Sequence, residues 1–262
     1  MSKQPIGFFD SGVGGTSIWK EVISLLPHEN SIYLADSRNA PYGEKLAEEI
    51  LALSVKNTEK LLELHCKLIV VACNTATTNA IDFLRKTYPI PFIGIEPAIK
   101  PAALSSKSKT IGILATKGTL SSALFARTSS LYASDLNVIE VVGTGLVERI
   151  EKGLINTSET RELLQTYLDP MIAKNMDYLV LGCSHYPYLI PILKELLPEE
   201  VQIIDSGRAV ALQTRKILES NSLLNTSKEK GSHSLYTNAS VETLAHLTQD
   251  VLSKKEVGFL DF

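Results

Sequence analysis

The chain has 262 residues, 44% hydrophobic and 21% charged, with a formal net charge of −3. That much apolar material excludes a disordered chain, and the length suits one large domain or two modest ones, each with a core of its own. The longest lysine-rich stretch is only Lys228-Glu229-Lys230, so the charge pattern argues for neither a nucleic-acid partner nor an anionic membrane surface.

The first apolar run, over 6–9, breaks at Asp10, too early for a signal-peptide core or a membrane span. It reads as a strand, and Asp10-Ser11-Gly12-Val13-Gly14-Gly15 turns it into a helix over 16–26. A second strand over 31–35 leads to the turn Asn39-Ala40-Pro41-Tyr42-Gly43. The helix over 44–64 follows, with Leu46, Ile50, Leu53, Leu61 and Leu64 at helical spacing. Further strands are predicted over 68–72, 92–95, 110–115, 138–142, 178–181 and 202–204, with helical patterns between them. Pro97 and Pro101 interrupt regular structure near a domain boundary. The last stretch holds two helical patterns around a polar loop over 225–234, expected to pack back onto the first domain.

Strand and helix in alternation imply βα units and mostly parallel sheet covered on both faces. The plan is also stated twice. Ile6-Gly7-Phe8-Phe9-Asp10-Ser11 has a counterpart in Ile111-Gly112-Ile113-Leu114-Ala115-Thr116. Leu68-Ile69-Val70-Val71-Ala72-Cys73-Asn74-Thr75 has one in Tyr178-Leu179-Val180-Leu181-Gly182-Cys183-Ser184-His185. The expectation is two pseudo-symmetric α/β domains, 1–97 plus 209–262 and 98–208. Their strand-end loops would face a shared cleft, where open α/β sheets bind ligands.

Several residues in those loops could carry chemistry. The glycine run after the first strand invites a dinucleotide reading, but Ser17 stands where a third glycine belongs, and Asp10 would repel phosphate. Backbone N–H groups and the Ser11 hydroxyl could instead hold a carboxylate, with Asp10 suited to an ammonium group. Tyr42, in its turn, would suit a small polar ligand. Cys73 and Cys183 each leave an apolar strand and enter a helix, where the helix dipole favours thiolate. Cys66 precedes its strand and matches nothing. Three cysteines form no disulfide framework, which points to a reducing cytoplasm. Two thiols and His185 leave three chemistries open. Cys183-x-His185 could bind a metal, although it lacks the paired hooks of structural zinc. A single thiol could attack an amide, leaving the second unexplained. Two thiols on opposite faces of a stereocentre could move its proton.

Asp10-Ser11-Gly12-x-Gly14-Gly15, Ala40-Pro41-Tyr42-Gly43, Ala72-Cys73-Asn74-Thr75-Ala76 and Gly182-Cys183-x-His185-Tyr186-Pro187 together resemble the bacterial glutamate racemases, in that family's order and spacing. The resemblance implies cofactor-independent racemisation of L-glutamate to D-glutamate for peptidoglycan, without pyridoxal phosphate or metal, in a cytoplasmic homodimer. It makes Cys73 and Cys183 the acid/base pair, assisted by Asp10, His185 and a glutamate that fits Glu151 better than Glu148. It assigns substrate binding to Asp10, Ser11, Pro41, Tyr42, Gly43, Asn74, Thr75, Thr116, Thr119, Ser184 and His185. The chain departs from the family pattern at Ser184, where threonine is usual, and at Gly143-Thr144-Gly145, where Cys-Pro is frequent. The competing readings are aspartate racemase or a related superfamily member, and a non-catalytic amino-acid-binding protein of the same fold.

Overall fold

A computed structural model describes residues 3–262. The chain runs through β1 (Ile6–Asp10), α1 (Thr16–Leu25), β2 (Ser31–Ala35), α2 (Ala47–Glu63), β3 (Leu68–Val71), α3 (Asn74–Thr87) and β4 (Phe92–Gly94). It continues through α4 (Ile99–Ser105), β5 (Thr110–Ala115), α5 (Lys117–Leu120), α6 (Ala123–Tyr132), β6 (Asn137–Val142), α7 (Leu146–Glu151) and α8 (Ser158–Ile172). Last come β7 (Tyr178–Gly182), α9 (Ile190–Leu196), β8 (Gln202–Ile204), α10 (Gly207–Ser220), β9 (His233–Thr237), α11 (Val241–Thr248) and β10 (Val257–Phe259).

The strands form two parallel sheets, ordered β10-β9-β2-β1-β3-β4 and β6-β5-β7-β8. The second sheet repeats the order of β2-β1-β3-β4 in the first, so the duplication read in the sequence is also a duplication of topology. Every residue of β1, β3 and β5 is buried, as strands covered on both faces should be. All eight predicted strands form. The last stretch forms its two expected helices, α10 and α11, and adds two strands that were not expected, β9 and β10. β9 takes up the end of the polar loop and pairs with β2, from Ser31 opposite His233 to Ala35 opposite Thr237. Its sequence, His-Ser-Leu-Tyr-Thr, buries fully only Leu235 and Thr237, and three-residue β10 buries none. Such short, half-polar strands lack the apolar run that marked the others.

One apolar core spans both sheets, from Phe8, Trp19 and Leu68 to Leu114, Leu164 and Leu179. α10 packs beside α1, and Trp19 is pinned by its indole N–H donating to Ser31 Oγ at 2.9 Å. The returning segment is tied to the base of the first sheet by a buried ion pair. Lys67 Nζ meets Glu29 Oε2 at 2.6 Å and donates to the Leu223 carbonyl at 2.8 Å, while Asn225 N–H donates to Glu29 Oε1 at 2.6 Å. Among the described residues no helix is long and apolar enough to cross a membrane.

Candidate active site

Parallel pairing brings the carboxyl ends of the strands to common levels, Asp10 opposite Ala35 in one sheet and Ala115 opposite Gly182 in the other. The residues just beyond those ends therefore meet. Asp10 closes β1 and is fully buried. It accepts a hydrogen bond from Gly15 N–H at 2.8 Å and another from Ser184 Oγ, in the other half, at 3.1 Å. Burial raises the Asp10 carboxyl above its ordinary range, against the pull of His185, Gly15 N–H and a hydrogen bond from Cys73.

Cys73 caps the N-terminus of α3, accepting from Ala76 N–H at 3.4 Å and donating to Ser11 Oγ at 3.7 Å. The helix terminus was expected to favour thiolate. The structure reverses that balance for the resting thiol. Burial first, then the Asp10 carboxylate, hold Cys73 well above the usual thiol range despite the donors from Ala76 and Ser11.

Cys183 enters from the second half, directly after β7. Its Sγ lies 3.9 Å from His185 Nδ1, and Ser184 Oγ lies 3.5 Å from the same nitrogen. His185 Nε2 is 2.6 Å from Glu151 Oε1, and its Nδ1 is 3.9 Å from Asp10 Oδ2. Burial works against a charged imidazole, yet the hydrogen bonds with Cys183 and Glu151 and the Asp10 charge outweigh it. His185 is held well above its usual range. Glu151 is thus the carboxylate that reaches the histidine. It also accepts from Val13 N–H at 2.7 Å and Ser37 Oγ at 2.8 Å. Glu148, one turn earlier on α7, lines the neighbouring cavity instead.

The glycine run of the first half faces these same groups. A β-carbon at Gly12 would lie 2.6 Å from Glu151 Cδ, and one at Gly14 2.6 Å from His185 Cε1. Small residues are needed here because the other half approaches so closely. The Gly143-Thr144-Gly145 departure has a local reason too. Tyr186 OH donates to the Gly143 carbonyl at 3.1 Å, a β-carbon there would meet Tyr186 Cζ at 2.9 Å, and Gly145 enters α7 at a left-handed φ of 79°.

The remaining predicted residues complete the enclosure. Tyr42 OH donates to Asp36 Oδ2 at 2.5 Å and accepts from Asn57 Nδ2 at 3.0 Å. Thr75 Oγ1 is 2.8 Å from Thr116 Oγ1 across the cleft, and Thr116 donates to Thr119 Oγ1 at 3.0 Å. Asn74 is 3% exposed, and among the described residues its Nδ2 has no hydrogen-bond partner. A buried amide donor left open at a cleft is suited to a ligand oxygen. Both thiols, with Ser11, Pro41, Tyr42, Gly43, Asn74, Thr75, Thr116, Ser184 and His185, line one chamber of about 10 Å³. Asp10, Glu151 and Thr119 stand behind this lining. The chamber has room for about one water, whereas small-molecule pockets run to hundreds of Å³. Cavities of about 90 and 250 Å³ adjoin it past Pro41 and Val147. A larger concavity, about 1170 Å³, is a groove along β4 that contains none of the predicted site residues.

Sequence reasoning missed Asp36 as a site residue, together with Ser37, Asn57, Asn238 and Thr243. Asp36 stands at a strand end like Asp10, which is a readable signal. Asn57 lies mid-helix and the last two lie in the C-terminal segment, with no motif around them. Among the described residues no three His, Cys, Asp or Glu side chains converge as metal ligands.

Residues 17–214 match the model of the Asp/Glu/Hydantoin racemase family. A glutamate racemase from Ectopseudomonas mendocina is 50% identical over 227 residues, 86% of each chain. Another, from Herpetosiphon aurantiacus, is 43% identical over 95% of this chain and 98% of its own. The fold is similar to the Escherichia coli glutamate racemase solved with L-glutamate and the activator UDP-MurNAc-Ala (TM-score 0.85, 32% identity, covering 98% and 97% of the two chains). A glutamate racemase isoform from Bacillus anthracis gives a TM-score of 0.86 at 30% identity, covering 100% of this chain and 98% of that one. With the family model matched over most of its length, this chain belongs to the Asp/Glu/Hydantoin racemase family.

Proposed function

We propose that this protein is an isomerase that interconverts L- and D-glutamate by two-base proton transfer, with Cys73 and Cys183 as the acid/base pair. The observation that carries this reading is the delivery of one thiol from each half of the molecule into a single buried chamber, each beside its own ionisable partner. One thiolate removes the Cα proton, and the electron pair moves into the α-carboxylate. The opposite thiol then protonates the other face, so the two cysteines end with their protonation states exchanged. Asp10 serves the Cys73 side and His185, oriented by Glu151, the Cys183 side.

The developing charge on the α-carboxylate needs preorganised donors. Asn74 Nδ2 and the hydroxyls of Thr75, Thr116 and Ser184 would supply them in this reading, with Asp10 suited to the ammonium group. Thr119 supports Thr116, and Ser11, Tyr42 and Gly43 wall the chamber. A chamber of about 10 Å³ admits no amino acid, so substrate entry needs an opening of the site, and a swing of 98–208 away from 1–97 plus 209–262 would supply it. Reclosure would exclude water and protect the thiolate. No step calls for a cofactor. The curated relatives named above are glutamate racemases, which favours glutamate over aspartate. The wider reading is a cytoplasmic homodimer supplying D-glutamate for peptidoglycan.

Incubation with L-glutamate in deuterium oxide tests this reading. Loss of optical activity with deuterium gain at Cα is expected. The same with L-aspartate alone would move the substrate to aspartate, and binding without exchange would refute catalysis.

A further inference from the structure

The chain returns to the active site a third time, through its C-terminal segment, and touches the backbone of Glu151, which holds His185, and the carboxylate of Asp36, which holds Tyr42. Glu151 is the last residue of α7, so its carbonyl is one of those a helix end leaves without an internal partner. Thr243, in the first turn of α11, donates its hydroxyl to that carbonyl at 2.9 Å. At the end of β9, Asn238 Nδ2 donates to Asp36 Oδ1 at 2.5 Å, and its own Oδ1 accepts from Arg38 N–H at 2.9 Å. Asp36 in turn holds Tyr42, and Glu151 holds His185.

We propose that the C-terminal segment is a positioning element for the reaction, with Thr243 setting Glu151, and through it His185, while Asn238 sets Asp36 and Tyr42. The inference rests on the racemase reading above but adds residues that the family motifs do not reach. Glu151 is held at four points: its carboxylate by Val13, Ser37 and His185, and its backbone by Thr243. Three fix where the charge sits, while the fourth fixes where the helix end sits. The Thr243 contact joins α11, packed with the first sheet through β9 and β10, to α7 of the second. It therefore bridges the two halves. Thr243 and Glu151 both border the cavity of about 250 Å³, which is large enough to admit water. Water can replace the lost donor when Thr243 is changed, so the fold should tolerate the change while the geometry relaxes.

The test compares wild type, Thr243→Val and Thr243→Ser. Thr243→Val should lower kcat/KM by about 3- to 10-fold, the range of one lost hydrogen bond. Because Cys183 is the thiol beside His185, the primary deuterium isotope effect at Cα should change unequally for the two glutamate enantiomers. Thr243→Ser, which keeps the hydroxyl, should restore both. In nitrogen-15 NMR the His185 Nε2 signal should move in the valine variant and return in the serine variant. Unchanged kinetics, isotope effects and His185 signal in a folded Thr243→Val protein would overturn the proposal. Should wild type fail to racemise glutamate, the functional reading falls, and the His185 signal still decides whether Thr243 positions the pair.

Discussion

Gly14→Ala places the sharpest demand on the proposed site, because it adds one methyl group and alters no charge. An alanine β-carbon would lie 2.6 Å from His185 Cε1 and closer still to Cγ and Nδ1. Ordinary carbon contacts need about 3.5–4.0 Å, so the ring must withdraw by roughly 1 Å. The ring cannot withdraw freely, since Nε2 is 2.6 Å from Glu151 and the residue is 1% exposed. Overpacking of this kind costs about 1–3 kcal/mol in stability. A displacement of roughly 1 Å at a reacting group can cost about 100-fold in rate. Circular dichroism follows racemisation directly, and thermal melting of the same sample reports the fold. The expected result is a folded protein with kcat/KM down about 100-fold and a melting midpoint lowered by several degrees. Gly258→Ala, whose β-carbon would meet Tyr236 at an ordinary 3.7 Å, should change neither. Gly14→Ala activity within threefold of wild type would refute the placement of His185 against the glycine run.

Two further outcomes follow from the electrostatics. Glu151→Gln keeps an acceptor for His185 and Val13 but removes the charge. A charge-assisted hydrogen bond is worth about twice a neutral one, so kcat/KM should fall about 10-fold, and the His185 titration midpoint, followed by NMR, should move down. An unmoved midpoint would contradict the assignment of Glu151 over Glu148. The melting temperature should also fall as pH rises. The stabilisation from His185, held above its unfolded value, is whole below about pH 6.5 and fades through its folded-state value. That from Cys73, raised in the same direction, is whole below about pH 8.5 and fades above it. Melting curves between pH 5 and 10 check this, and Cys73→Ala should flatten the alkaline part. A midpoint that climbs across that range would have the wrong sign.

Most of the sheet framework was readable because the central strands are short, β-branched and buried on both faces, as in Leu-Ile-Val-Val of β3. The repeated plan also told correctly that the strand-end loops would meet. What escaped is physically of two kinds. β9 and the edge strand β10 are short, and their polar or half-exposed residues carry no periodic signal, so the contributions of Asn238 and Thr243 could not be foreseen. The state of Cys73 escaped because its helix-terminal position is a local feature, whereas its burial beside Asp10 comes from the pairing of β1 with β3 and from the packing around them. Glu151 and Glu148 could not be separated by spacing one helical turn apart. The direction in which each carboxylate points decides between them.

The central claim is that neither thiol alone suffices, because each serves one face of the substrate. Racemisation of L- and D-glutamate by Cys73→Ala and Cys183→Ala, with folding verified by thermal melting, tests it most directly. Both folded variants should lose activity in both directions by at least about 1,000-fold, within the range set by removal of an acid/base group. A folded variant of either cysteine that racemises at the wild-type rate would contradict the two-thiol account.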